Sequence, residues 1–74
     1  MRKFWFQFAV EGPRNLTAVG AHYDSLKDAL ARVEEANQER EHDGRKPVVA
    51  IKRVYRNGRS ELVCWVGQDD EEDE

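Results

Sequence analysis

The chain has 74 residues, of which 36% are charged and 39% hydrophobic, and its formal net charge is −3. A chain of this length forms one domain with a thin core, since it buries only about 60% of the surface that its unfolded state exposes. Its single cysteine excludes an internal disulfide, and no apolar run approaches the roughly 18 residues of a membrane-spanning helix. We therefore expect a cytoplasmic protein with one domain, at residues 1–68.

The first predicted element is a strand from Phe4 to Glu11, where apolar residues recur at every second position. The segment "GPRN" at 12–15 then predicts a chain reversal, because glycine, proline and asparagine all favour turns. The segment "LTAVGAHY" at 16–23 predicts a weaker returning strand. If this second strand were a loop, the sheet would have three strands instead of four.

The segment at 24–44 predicts the only helix, because its apolar residues recur at three- and four-residue spacing. Asp24 or Ser25 can cap the start of this helix, and Gly44 can close its end. The apolar stripe stops at Ala36, so we expect the last turns to project into solvent. The residues of the stripe are Leu26, Ala29, Leu30, Val33 and Ala36.

Two β-rich runs at 47–67 flank Asn57-Gly58, a dipeptide that favours a two-residue type I′ hairpin turn. A turn of this type sets the register of the two strands and thereby the face on which each side chain lies. The predicted pairs on one face are Ala50 with Trp65, Lys52 with Val63, Val54 with Glu61, and Arg56 with Arg59. The other face is more apolar, with Arg53 as the exception, and we expect the helix to cover it while the Arg53 guanidinium stays in water.

These elements predict an α+β fold in the order β-β-α-β-β, with a small antiparallel four-stranded sheet and one helix packed on one face. The first and fourth strands are richest in apolar residues, so we expect them to be central and the strands to lie in the order 2-1-4-3. The charged third strand would then lie at an edge of the sheet.

The face that the helix leaves open is the predicted binding surface. Tryptophan is enriched at protein interfaces, and an apolar patch with a charged rim is typical of a contact site. We expect a protein partner or a second copy of the chain, packed face to face in a twofold dimer. The predicted partner-binding residues are Trp5, Trp65, Lys52, Arg56, Arg59 and Val63.

The acidic residues are concentrated in a run near the end of the sequence. This run supplies six of the fifteen acids, so the preceding residues carry twelve bases against nine acids. We expect the run to be disordered, because like charges repel and it has nothing apolar to bury. It consists of Asp69, Asp70, Glu71, Glu72, Asp73 and Glu74. It could serve only solubility, or it could fold back onto Arg56 or Lys52 and compete with an anionic ligand.

Two other functions remain open from the sequence. Aromatic residues on an open sheet can stack nucleic-acid bases while basic side chains contact phosphates, which would make the acidic run autoinhibitory. The chain is also similar in scale and charge layout to phage-encoded inhibitors of host machinery. That resemblance implies an acidic surface that mimics nucleic acid, formed by residues 69–74 with Glu34, Glu35 and Glu39.

No motif in the sequence specifies catalysis, a cofactor or a metal. The spacing of Cys64, His22 and His42 is not that of metal ligands, and the hairpin register turns Cys64 towards the helix. We expect His22 to lie at the helix entry and His42 to be solvated. The sequence therefore predicts a small non-enzymatic binding module.

Overall fold

The computed structural model describes residues 3–66, which form four antiparallel strands and one helix. In chain order the elements are β1 (Phe4–Glu11), β2 (Leu16–Tyr23), α1 (Leu26–His42), β3 (Ala50–Tyr55) and β4 (Ser60–Trp65). The predicted α+β class, element order and four-stranded sheet are confirmed. The predicted domain boundary at residue 68 and the predicted disorder of residues 69–74 fall outside the described residues.

The core lies between α1 and one face of the sheet, as the alternation in β1 predicts. Phe6 and Phe8 of β1 are buried, and Val33 of α1 packs in the same cluster. Ile51 of β3 and Val48 before it are at most 1% exposed. The other buried members of the cluster are Ala29 and Val66.

Both ends of α1 follow from local sequence. The Ser25 hydroxyl accepts a hydrogen bond from the Asp28 N–H at 3.1 Å, so Ser25 is the N-cap. Gly44 ends the helix with a φ of 72°, a left-handed conformation that favours glycine. The last turns do not simply project into solvent, because Asn37 and Arg40 hydrogen-bond backbone groups of the following loop.

The predicted strand order 2-1-4-3 is wrong, since the strands lie in the order β2-β1-β3-β4. The first half of β3 needs a central position, because Ala50 and Ile51 are both fully buried. The apolar residues of β4 instead lie at an edge, where Leu62 and Trp65 are exposed. Apolar content therefore did not identify the central strand.

The β3–β4 turn also differs from the prediction. The Tyr55 N–H donates to the Arg59 carbonyl at 2.7 Å, and the Gly58 N–H donates to the Tyr55 carbonyl at 2.9 Å. The loop therefore has three residues, 56–58, with Gly58 at a φ of 95°. The extra residue shifts the pairing by one position, so that Lys52 lies opposite Leu62 instead of Val63.

A bulge at Val63 restores the predicted register. Beyond it, Ile51 pairs with Cys64 and Ala50 pairs with Trp65. Only residues 60–62, between the turn and the bulge, therefore point to the face opposite the predicted one. Leu62 lies on the open face, and Glu61 lies on the same face as α1, beside Arg53.

Candidate functional site

The open face is the side of the sheet opposite α1, and small side chains form its floor. Ala9 pairs with Ala18 on β2 and with Ala50 on β3, and Ala50 pairs in turn with Trp65. Ala9 and Ala50 have no exposed surface. A row of three alanines thus runs across the strands beneath the surface of the open face and ends at Trp65.

Trp5 is held in a fixed orientation at one side of this floor. Its ring stacks on the His22 imidazole at a centroid distance of 4.3 Å and an interplanar angle of 11°. Its Nε1–H donates to Gln7 Oε1 at 2.7 Å, and Gln7 Nε2 donates to the Gly20 carbonyl at 3.2 Å. The indole is therefore oriented before any partner arrives. The prediction of His22 at the helix entry is wrong, since His22 lies in β2.

Trp65 and Leu62 are the prominent apolar side chains of the open face. Trp65 is 57% exposed and Leu62 is 44% exposed, and both belong to the edge strand β4. In a regular strand, residues three positions apart would point to opposite faces. The bulge at Val63 lets both side chains share one face. Sequence reasoning placed Trp65 on this face but missed Leu62, because nothing in the sequence marks the bulge.

Lys52 lies on the open face as predicted, but its charge is engaged within the molecule. Its Nζ donates to the Leu16 carbonyl of β2 at 3.2 Å. Since β1 lies between β3 and β2, the aliphatic part of Lys52 must cross over β1 to reach that carbonyl. The aliphatic part of Lys52 therefore shields the alanine row from solvent, and its ammonium group is already hydrogen-bonded within the molecule.

The other predicted contact residues fall at different places. Arg56 and Arg59 are exposed at the hairpin turn, at one end of the open face. Val63 does not lie on the open face, because the bulge directs it to the helix side, where it packs against the core. Asp69, Asp70, Glu71, Glu72, Asp73 and Glu74 fall outside the described residues.

The described chain ends far from the basic turn. The Val66 N–H donates to the Val49 carbonyl at 3.0 Å, at the opposite end of the β3–β4 hairpin from Arg56 and Arg59. Six strand residues separate the two ends, or about 20 Å at 3.3 Å per residue. Val66, the last described residue, therefore lies at the end of the hairpin opposite Arg56 and Arg59.

Arg53 and Glu61 form a polar cluster on the helix side of the hairpin. Arg53 Nη1 lies 3.1 Å from Glu61 Oε2, and the Tyr55 hydroxyl donates to the same oxygen at 2.7 Å. The Arg53 guanidinium also stands over the rings of Phe4 and Phe6, at 5.2 and 5.7 Å from their centroids. A side-chain hydrogen bond with Tyr55, and then the charge of Glu61, raise the pKa of Arg53 above its ordinary value and outweigh the lowering by burial. The guanidinium therefore stays charged.

Helix α1 leaves part of its own side of the sheet uncovered, because its strand contacts are chiefly with β1 and β2. Asn37 faces the start of β3, since its side chain bonds the Val48 backbone. Leu30 lies two helical turns earlier on the same side of the helix. Leu30 is 46% exposed, so this side of α1 carries an exposed apolar side chain.

The described residues offer no assembled metal site, since no three His, Cys, Asp or Glu side chains among them are placed to hold an ion together. Cys64 is a free, half-buried thiol packed against the core. Within residues 3–66, no helix combines the length and apolar character that a membrane crossing requires. Comparisons of the chain with protein-family models, curated proteins and solved structures gave no match.

Proposed function

We propose that the protein is a small non-enzymatic binding module that docks an apolar protein surface on its open sheet face. The observation that carries this proposal is the exposure of Trp65 and Leu62 side by side on that face, at 57% and 44%. Two large exposed apolar groups on one face form an apolar patch, which is characteristic of contact sites. Tryptophan is also the residue most enriched among those that dominate binding energy.

The open face is organised before binding. Trp5 is fixed by His22 and Gln7, and Lys52 is anchored to the Leu16 carbonyl. Side chains that are already ordered lose little conformational entropy when a partner docks. The face therefore suits a flat partner that needs no rearrangement of this chain.

The rim of the face indicates the charge of the partner. Arg56 and Arg59 are exposed at the hairpin end, and Arg14 is exposed in the loop at the other end. Complementary charges at an interface rim mainly raise the association rate, and salt weakens that effect. We expect a partner whose apolar patch has an acidic rim, and an association rate that falls as salt is added.

The geometry favours this function over nucleic-acid binding. Base stacking needs an accessible aromatic face, and His22 already covers one face of the Trp5 indole. Phosphate binding needs available cations, whereas Lys52 and Lys46 both donate to backbone carbonyls. Fewer aromatic rings and cations are therefore available to a nucleic acid than the sequence suggests.

The test begins with affinity capture from a lysate of the source organism and continues with a purified candidate partner. Its dissociation constant would be measured for the wild type, for Trp65→Ala and for Leu62→Ala. Loss of an exposed interface tryptophan is expected to weaken binding by about tenfold or more. Ala31→Ser is the matched control, because Ala31 is exposed on α1 away from the open face. Unchanged binding by Trp65→Ala would refute the proposal.

Nucleic acids are tested in parallel, by titrating single- and double-stranded oligonucleotides while following tryptophan fluorescence at low and moderate salt. We expect no saturable response. Salt-sensitive quenching that is lost in Arg56→Ala and Arg59→Ala would instead make the protein a nucleic-acid binder.

A further inference from the structure

We propose that β4 pairs with β4 of a second copy, antiparallel and about a twofold axis, so that two sheets join into one of eight strands. This inference goes beyond the proposed function, because the edge of β4 is distinct from the open face. It begins from the exposed large hydrophobic residues of the described chain, which are Leu30, Leu62 and Trp65. Two of them, Leu62 and Trp65, lie on β4.

The edge of β4 has few of the features that normally prevent strand pairing. Edge strands are usually protected by lysine, proline, bulges or a covering element. β4 reads SELVCW, without lysine or proline, and α1 packs over the other half of the sheet, so the bulge at Val63 is the one such feature of this edge. The opposite edge strand, β2, is interrupted more strongly: two extra residues separate its pairs with Phe6 and Phe8, and Gly20 adopts a φ of 80°.

The bulge of β4 makes the strand complementary to itself. It places Leu62 and Trp65 on the open face, with Val63 and Cys64 between them towards the core. An antiparallel pair centred between Val63 and Cys64 sets Leu62 of each copy opposite Trp65 of the other. Apolar cross-strand pairs of this kind stabilise antiparallel sheets.

The charge order along the sequence favours the antiparallel arrangement of two copies. Arg56 and Arg59 precede the apolar part of β4, and the acidic residues 69–74 follow it. Antiparallel pairing brings the basic turn of one copy to the end of β4 from which the acidic run of the other copy departs. Parallel pairing would set like charges together at both ends. A second copy thus supplies both the apolar and the charged complement of this edge.

Pairing would also enlarge the binding surface. Strands six to eight residues long, about 4.8 Å apart and rising about 3.3 Å per residue, give one open face a footprint on the order of 400 Å². A standard protein interface buries roughly 800 Å² per partner. The joined sheet would present about twice the footprint, with the two Trp65 side chains at its centre.

The test is sedimentation velocity of the full chain over a concentration series, with amide hydrogen exchange measured at both ends of the series. We expect a monomer–dimer equilibrium and slower exchange in residues 61–65 at high concentration. Leu62→Glu should raise the dimer dissociation constant at least about tenfold, because it places a charge opposite Trp65 of the second copy. Ala31→Glu is its matched control, since it adds the same charge to an exposed helix position that faces away.

The other outcomes separate this inference from the proposed function. A monomer at every concentration would overturn the β4 pairing and leave binding through the open face standing. A dimer that survives Leu62→Glu but is lost in Ala18→Arg would also overturn it, because Ala18 lies on β2 at the far side of the open face. Removal of residues 69–74 should weaken the dimer at low salt. An equal or stronger dimer after that removal would refute the charge matching.

Discussion

Replacing Asn37 with alanine tests how α1 is fastened to the chain that follows it. Asn37 Oδ1 accepts a hydrogen bond from the Val48 N–H at 2.7 Å, and Nδ2 lies 3.5 Å from the Val48 carbonyl. Val48 is 1% exposed, so water has little access to replace these bonds. We expect Asn37→Ala to lower the free energy of unfolding by about 1–3 kcal/mol, the cost of leaving a buried donor unpaired.

This loss is large for so small a domain, whose total free energy of unfolding is expected to be about 3–10 kcal/mol. Urea unfolding followed by tryptophan fluorescence would measure it, with a midpoint lower by about 1–3 M if the denaturant slope is about 1 kcal/mol/M. Gln38→Ala changes the exposed neighbour and is the control. Asn37→Asp keeps the acceptor of the 2.7 Å bond, so it should lose less stability. Equal midpoints for Asn37→Ala and Gln38→Ala would refute the reasoning.

Two further substitutions probe local geometry, both by thermal unfolding. Gly12→Ala should destabilise the β1–β2 turn by about 1 kcal/mol or more, because a Cβ there would lie 2.5 Å from Thr17 Oγ1 and 2.7 Å from the Asn15 carbonyl oxygen. A wild-type melting temperature would show that the turn relaxes freely. Ser25→Ala should cost about 1 kcal/mol by removing the bond to the Asp28 N–H, whereas Ser25→Asp should keep most of the stability. Equal losses in both variants would argue against the capping role.

The elements that a local pattern defines could be predicted from the sequence. Alternation along β1 correctly placed Phe6 and Phe8 in the core, and the helix stripe correctly placed Ala29 and Val33. Strand order could not be predicted, because apolar content does not distinguish burial in a core from exposure at a sheet edge. Trp65 shows the difficulty, since a tryptophan in a β-rich run is typical of both settings.

The candidate site was only partly predictable for a related reason. The position of Trp5 follows from the strand period alone, but its contact with His22 depends on the irregular pairing of β2 with β1. The location of Leu62 depends on the hairpin loop length and on the bulge. Asn-Gly indicated a turn but not its length, because glycine at a positive φ serves both two- and three-residue loops.

The two irregularities of the β3–β4 hairpin act in opposite senses, and this gives the loop an influence beyond its own residues. If the hairpin instead closed on a two-residue loop, 57–58, and lost the bulge, the pairs from Ile51 and Cys64 onward would stay as they are and only the stretch before them would turn over. Glu61 would then project from the open face, and Leu62 would lie beside Arg53. The docking surface would gain a carboxylate and exchange Leu62 for Val63 without any substitution within it. A change in the conformation of this loop that removes the bulge therefore offers a route to a different binding specificity on an unchanged scaffold.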